Sequence, residues 1–252
     1  MDTRNIRVLT KLEVKGPNVI KGIQLEGLRV VGQPNTMAEK YYNQQVDEII
    51  YIDIVASLYN RRQMIETVAD SAKKIFIPLT VGGGIRSVED ISMALNSGAD
   101  KVAVNTAAVN NPEIINEASQ KYGSQCVVVS VEAKKRSDGW EVLTENGREK
   151  TGLQVFDWIQ EAQARGAGEI LLTSVDRDGT RKGFDIELYQ SLADSVHIPL
   201  IACGGCGGLD DVASLLNKTK VDAVCCSNVL HFDRLSVSDI KDTVKSIGFE
   251  TR

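Results

Sequence analysis

Two glutamates, Glu13 and Glu132, stand 119 positions apart, each at the end of an apolar run and each followed two residues later by a lysine, Lys15 or Lys134. Carboxylates at equivalent strand ends meet when a chain is an internal repeat. There they can divide acid and base work if their surroundings separate their pKa values. The plainer reading is that both are solvated or paired with Lys15 and Lys134. The repeat has independent support: Pro78-Leu79-Thr80-Val81-Gly82-Gly83-Gly84 and Pro199-Leu200-Ile201-Ala202-Cys203-Gly204-Gly205 match at an offset of 121. The same offset continues through Val88/Leu209, Glu89/Asp210, Asp90/Asp211 and Leu95/Leu216. Glycines after a strand let an anion approach backbone N–H groups, and a following helix N-terminus favours it further. One Gly-Gly pair is as well explained by a tight turn; two copies in register point to two phosphate grips, one for each end of a substrate.

The elements that must position these residues are legible as alternation. Eight short apolar runs cover 8–12, 48–52, 78–81, 101–104, 126–131, 169–173, 199–202 and 223–226, separated by longer amphipathic stretches. Val88 to Asn96, after Ser87 as N-cap, and Gly152 to Arg165, with Leu153, Phe156, Trp158, Ile159 and Ala162 on its apolar side, read as helices. Continuous apolar strands imply a parallel sheet covered by helices. Eight such units in 252 residues predict an α/β fold, a (β/α)8 barrel of two duplicated half-barrels forming one domain over 1–252. An open doubly wound sheet is the structural alternative. In a barrel of this kind the site lies where strands end. That selects Gly83, Gly84, Asn105 and Thr106 for one grip and Gly204, Gly205, Ser227 and Asn228 for the other, with Glu13 and Glu132 between them.

Composition narrows the function classes. A net charge of −5 argues against nonspecific nucleic-acid binding. The N-terminus lacks the apolar run of a signal peptide, and no segment approaches the ~20 apolar residues that span a bilayer, so a cytosolic, membrane-free protein is expected. The five cysteines read as free thiols. Cys203, Cys206, Cys225 and Cys226 suggest zinc by spacing, but Cys225 and Cys226 are adjacent in a strand and should point to opposite faces. No metal site and no cofactor is expected. His197 and His231 fall at no strand end facing the carboxylates and read as bystanders.

A resemblance over nearly the whole length is carried by Val14-Lys15 with Val19-Ile20-Lys21-Gly22, Leu28-Arg29 with Gly32-Gln33-Pro34, Val46-Asp47-Glu48, Thr80 to Ile85, 98–102, 104–108 and, most specifically, Gly166 to Thr180. Through these the chain resembles the cyclase subunit of imidazole glycerol phosphate synthase. The resemblance implies a barrel that adds ammonia to a bisphosphorylated aminoimidazole carboxamide nucleotide, giving imidazole glycerol phosphate and an aminoimidazole carboxamide ribonucleotide. It also implies a separate glutaminase partner, docked at the N-terminal face of the barrel, whose ammonia passes through the core. The family's ring of charges at the tunnel entrance falls on Arg7, Glu48, Lys101 and Glu169, although salt-bridged charges can also simply plug a barrel floor.

Where the family carries two catalytic aspartates, this chain has Glu13 and Glu132, each moving its carboxylate outward by one methylene. Lys21 is implied at loop 1 or a phosphate and Asp178-Gly179 near the substrate. Thr173 and Thr144-Glu145-Asn146-Gly147 are implied as hydrogen-bonding groups, and Cys203 as packing. Two alternatives share these features: the sister isomerase of the same pathway, and a noncatalytic ammonia conduit serving a sugar-amidating enzyme of surface polysaccharide synthesis.

Overall fold

The computed structural model of the protein describes residues 4–55 and 58–252; residues 1–3, part of the expected 1–252 unit, lie outside them. In chain order the strands are β1 (Arg7–Lys15), β2 (Asn18–Ile23), β3 (Glu26–Gly32), β4 (Glu48–Asp53), β5 (Leu79–Gly82), β6 (Lys101–Val104), β7 (Val127–Arg136), β8 (Gly139–Thr144), β9 (Glu149–Gln154), β10 (Glu169–Ser174), β11 (Leu200–Cys203) and β12 (Ala223–Cys225). The helices are α1 (Pro34–Asn43), α2 (Leu58–Ala72), α3 (Val88–Asn96), α4 (Thr106–Asn110), α5 (Glu113–Tyr122), α6 (Val155–Ala164), α7 (Ile186–Ser191), α8 (Leu209–Lys218), α9 (Asn228–His231) and α10 (Val237–Ser246). All eight apolar runs are strands, with ends shifted. They pair in parallel in the order β1-β4-β5-β6-β7-β10-β11-β12, and β12 returns to β1 through Arg7↔Ala223. The closed (β/α)8 barrel replaces the open-sheet alternative, because an open sheet would leave β1 and β12 unpaired.

Four strands lie outside the eight expected runs. β1 and β7 continue past the barrel rim and turn back as antiparallel hairpins, β2–β3 in the first half and β8–β9 in the second. Each half is therefore a long strand, a hairpin and three further barrel strands, which is the duplication expressed as topology. The second hairpin corrects one expectation: Gly152 to Gln154 belong to β9, and the helix begins at Val155. Gly152 sits at φ +75°, where a side chain is disfavoured and helix cannot start. Leu153 and Phe156 are exposed, and the buried side of α6 is Val155, Trp158, Ile159 and Ala162. Helix α3 starts where expected, with the Ser87 hydroxyl accepting from the Asp90 N–H.

Side chains alternate across each strand. The outward residues of β1, Val8, Leu12 and Val14, join the large core between sheet and helices. Leu9, of the opposite parity, joins Ile50, Ala103, Val128, Leu171, Ile201 and Ala223 in a separate apolar layer inside the barrel. Burying each such aliphatic side chain stabilises the fold by roughly 1.5–3 kcal/mol. Arg7, Lys11 and Glu13 share Leu9's parity, so one column of β1 reads charge, apolar, charge, charge from floor to mouth. Cys225 lies in the inner layer and Cys226 in the outer core, on opposite faces as the strand argument required. Among the described residues no helix is long and apolar enough to cross a membrane.

Candidate active site

At the C-terminal rim the sequence-selected residues gather around two openings. The first is a cavity of about 650 Å³ lined by, among others, Gly83, Gly84, Asn105, Thr106 and Glu132. The second is a recess of about 10 Å³ lined by Lys21, Asp178, Gly179, Gly204, Gly205, Ser227 and Asn228. Lys21, Gly179 and Asn228 also border a wider space of about 540 Å³ that carries Arg29, Arg181 and Arg234. Both glycine turns need glycine. At Gly83, φ is +86° and a Cβ would lie 1.9 Å from the Asp53 carbonyl oxygen; at Gly205, φ is +109° and a Cβ would lie 2.2 Å from the Gly183 carbonyl oxygen. The turns at Gly83 and Gly205 are thus built by backbone packed too closely for any side chain.

The two hairpins reach over these openings. The β8–β9 turn donates the Gly147 N–H to Glu132 at 2.7 Å and the Glu145 N–H to the Thr106 hydroxyl at 3.1 Å, so it holds both a carboxylate and the rim of the first opening. The turn of β2–β3 is tied to the loop after β10 by the Gln24 N–H donating to the Asp178 carbonyl at 2.8 Å. Thr173 is buried on β10, in register with Glu132 on β7 and Cys203 on β11. The Ser227 hydroxyl donates to the Lys11 carbonyl at 2.9 Å, which leaves its backbone rather than its hydroxyl for an anion.

The carboxylates are not held by the lysines next to them in sequence. Lys134 pairs with Asp176 at 2.6 Å, and Lys15 is exposed. Instead Lys21 reaches Glu13 at 3.0 Å and Asp178 at 2.8 Å, and Lys11 reaches Glu13 at 3.0 Å. All four of these side chains are buried. The solvated-pair reading fails because Lys15, at the end of β1 where the strand has run into the hairpin, is exposed, while β2 carries Lys21 over Glu13, in register at Glu13↔Ile20. Lys11 was missed in the sequence, where it stands inside the apolar run 8–12. The parity shared by Arg7, Lys11 and Glu13 was the available signal.

The surroundings separate the pair. Burial alone would push the Glu13 carboxyl up, but Lys21 and Lys11 outweigh it and hold the group down at about 2. Among the described residues, Glu132 makes no ion pair. Burial pushes it up to about 7, opposed by the more distant charge of Lys11 and by the Gly147 N–H. Glu132 keeps an opening to the first cavity, so water there tempers the energetic weight of that shift. Near neutral pH one carboxylate is fixed as an anion and the other can hold or release a proton. That division is what acid–base chemistry on a bound substrate requires.

At the opposite end of the barrel, Arg7, Glu48, Lys101 and Glu169 are the first residues of β1, β4, β6 and β10. They close into a ring: Arg7 to Glu48 at 3.3 Å, Lys101 to Glu48 and to Glu169 at 2.8 Å each, and Arg7 to Glu169. Thr80 donates to the other Glu48 oxygen at 2.6 Å. His231 is a strut: it shares a hydrogen bond with the Tyr41 hydroxyl at 2.7 Å and approaches the Lys11 carbonyl at 3.2 Å. Burial lowers its pKa to about 4. His197 is exposed, away from both openings.

Fold and rim together define the class, a (β/α)8 barrel of two like halves with its glycine turns and carboxylates at one mouth. The chain belongs to the histidine biosynthesis protein family, whose model matches residues 7–236. It is 56% identical over 208 residues to the imidazole glycerol phosphate synthase subunit HisF of Legionella pneumophila, covering 82% of this chain and 98% of that protein. It is 41% identical over 246 residues to the subunit of the same name from Natranaerobius thermophilus, covering 98% of each.

Proposed function

We propose that this chain is the cyclase subunit of an imidazole glycerol phosphate synthase, acting on a bisphosphorylated aminoimidazole carboxamide nucleotide with ammonia as the nitrogen source. The observation that carries the reading is the unlike pair, Glu13 anionic and Glu132 near neutrality, between two glycine turns at one barrel mouth. The names of the two relatives agree with it. The turns at Gly83-Gly84 with Asn105-Thr106 and at Gly204-Gly205 with Ser227-Asn228 take the terminal phosphates through backbone N–H groups. Arg29, Arg181 and Arg234 add positive charge beside the second. Ammonia addition places positive charge on the incoming nitrogen, which the Glu13 carboxylate offsets. The later eliminations need a proton given or taken, and Glu132 does this near pH 7. Thr173, Asp178 and Gly179 shape the wall between the two turns.

The glutaminase partner docks on the N-terminal face, where the Arg7–Glu48–Lys101–Glu169 ring gates the entrance. Support for that face comes from Phe76, which is 78% exposed between α2 and β5 and packs edge-on to Tyr42 with ring centroids 6.5 Å apart. An aromatic so placed is a strong anchor for a protein partner. A bare ammonia conduit has no use for two carboxylates of opposite charge preference, and both relatives carry the cyclase subunit's name rather than the isomerase's; both alternatives fit less well. The test is conversion of the bisphosphorylated nucleotide by the purified chain with ammonium salt, followed by appearance of both products. Absence of turnover at saturating substrate and ammonia would remove the cyclase reading.

A further inference from the structure

Lys11 stands on the inner face of β1, one inward step above Leu9 and one below Glu13, where the remaining inner layer is apolar. A lysine there gives up solvation worth several kcal/mol, which must be recovered from partners. Its ammonium is 3.0 Å from Glu13. Glu13 already has a partner, since Lys21 donates to both of its oxygens at 3.2 and 3.0 Å while also holding Asp178. Neutralising Glu13 is therefore not a sufficient account of Lys11. A charge count supplies one. Lys11 and Lys21 face Glu13, Asp178 and Glu132, so the cluster is neutral when Glu132 carries a proton and bears one negative charge when it does not.

We propose that Lys11 is a positioning residue that fixes which of the two carboxylates carries the exchangeable proton. The groups facing it are Glu13 on its own strand, Lys21 from β2, Glu132 from β7, Asp178 from the loop after β10, Cys203 from β11 and Cys225 from β12. His231 of α9 meets only its backbone carbonyl, and that imidazole is neutral near pH 7. With Lys11 in place Glu13 stays ionised and Glu132 can lose its proton near neutrality. Without it, one lysine would face three carboxyls, so the cluster would already bear one negative charge with Glu132 protonated and a second once Glu132 ionised, and both carboxyls would hold their protons to higher pH. The role deepens the reading of the site and rests on it only for its kinetic consequence.

The test uses the full chain with isotope-labelled glutamate carboxyl carbons, titrated by NMR in wild type and in Lys11→Met, which keeps the length of the side chain and removes its charge. Glu132 should titrate near 7 in wild type and about 1 pH unit higher in the variant. Glu13, silent above pH 4 in wild type, should move upward. A folded variant in which the Glu132 midpoint does not move overturns the proposal. If the variant fails to fold, labelled lysine nitrogens in wild type decide: the Lys11 ammonium should stay charged and its signal should respond at the Glu132 midpoint, and a flat signal through that midpoint overturns the proposal as well. Ammonium-dependent turnover should inflect at the NMR midpoint in each protein. Midpoints that move as expected in an enzyme without turnover would sustain Lys11 and count against the cyclase reading alone.

Discussion

Replacing Glu132 with glutamine keeps the side chain's shape and its bond from the Gly147 N–H but removes the titrating proton. Two magnitudes follow. A carboxyl moved from 4.5 to about 7 on folding favours the folded state while protonated. Its contribution is fully present below pH 4.5 and is lost as pH rises through 7. The full span corresponds to about 3 kcal/mol as an upper bound, reduced by water in the open first cavity. Wild type minus Glu132→Gln stability should therefore fall between pH 4.5 and 7.5 and be flat above, with the variant the relatively more stable protein at the alkaline end. Urea titrations at half-unit pH steps measure this, and the subtraction cancels every titrating group that does not interact with Glu132. In the kinetic arm, ammonium-dependent turnover normalised to neutral ammonia should drop by about 10² to 10⁴ in the variant and lose its inflection near 7. A stability difference independent of pH across that window would refute the claim that Glu132 is held near neutrality by its surroundings, whatever the catalytic outcome.

Lys101→Ala removes two 2.8 Å contacts from the floor ring and leaves Arg7 facing two carboxylates. The stability loss should fall between the ~1 kcal/mol of an exposed pair and the roughly 3–5 kcal/mol of a broken buried one, because Lys101 is only partly covered. Glutamine-driven turnover with the partner should suffer far more than turnover with ammonium salt; equal losses would make the ring purely structural. Gly205→Ala forces a Cβ to within 2.2 Å of the Gly183 carbonyl oxygen. Calorimetric titration with inorganic phosphate should then show the Gly83-Gly84 site alone, where wild type shows two, and two intact sites would sink the assignment of this turn. Phe76→Ser should weaken glutaminase binding at least tenfold with little effect on ammonium-driven turnover, measured by surface binding and by the same assay.

The barrel was legible because its eight strands are buried on both faces and so read as continuous apolar runs. The hairpins were not, for a physical reason: β3 and β9 lie over the rim, largely exposed, and lack the continuous apolar run of a strand buried on both faces. The same blind spot displaced the start of α6, since Thr151 and Gly152 in an exposed strand look like the entry to a helix. Glycine turns and strand-end carboxylates were readable through the repeat. Their partners were not, because Lys21 arrives from a hairpin and Asp178 from a loop, and only the folded chain brings both to Glu13. Lys11 was within reach, since two-residue alternation already placed it on the face of Arg7 and Glu13.

The apolar layer of Leu9, Ile50, Ala103, Val128, Leu171 and Ile201 separates a charged floor from a charged mouth. It is a septum of low dielectric, and what crosses it is sorted by charge. An ion entering it forfeits several kcal/mol of hydration, about a thousandfold or more in occupancy, whereas a small neutral base does not. The barrel interior thereby behaves as a lipid bilayer does toward weak bases: the proton must be left on one side and, if needed, collected again on the other. On the proposed function, with nitrogen travelling as ammonia, the floor ring would be where that proton is shed, and the acid at the mouth would not compete with it for solvent protons. On the same reading the two electrostatic compartments could be altered separately, the floor toward a partner and the mouth toward the substrate.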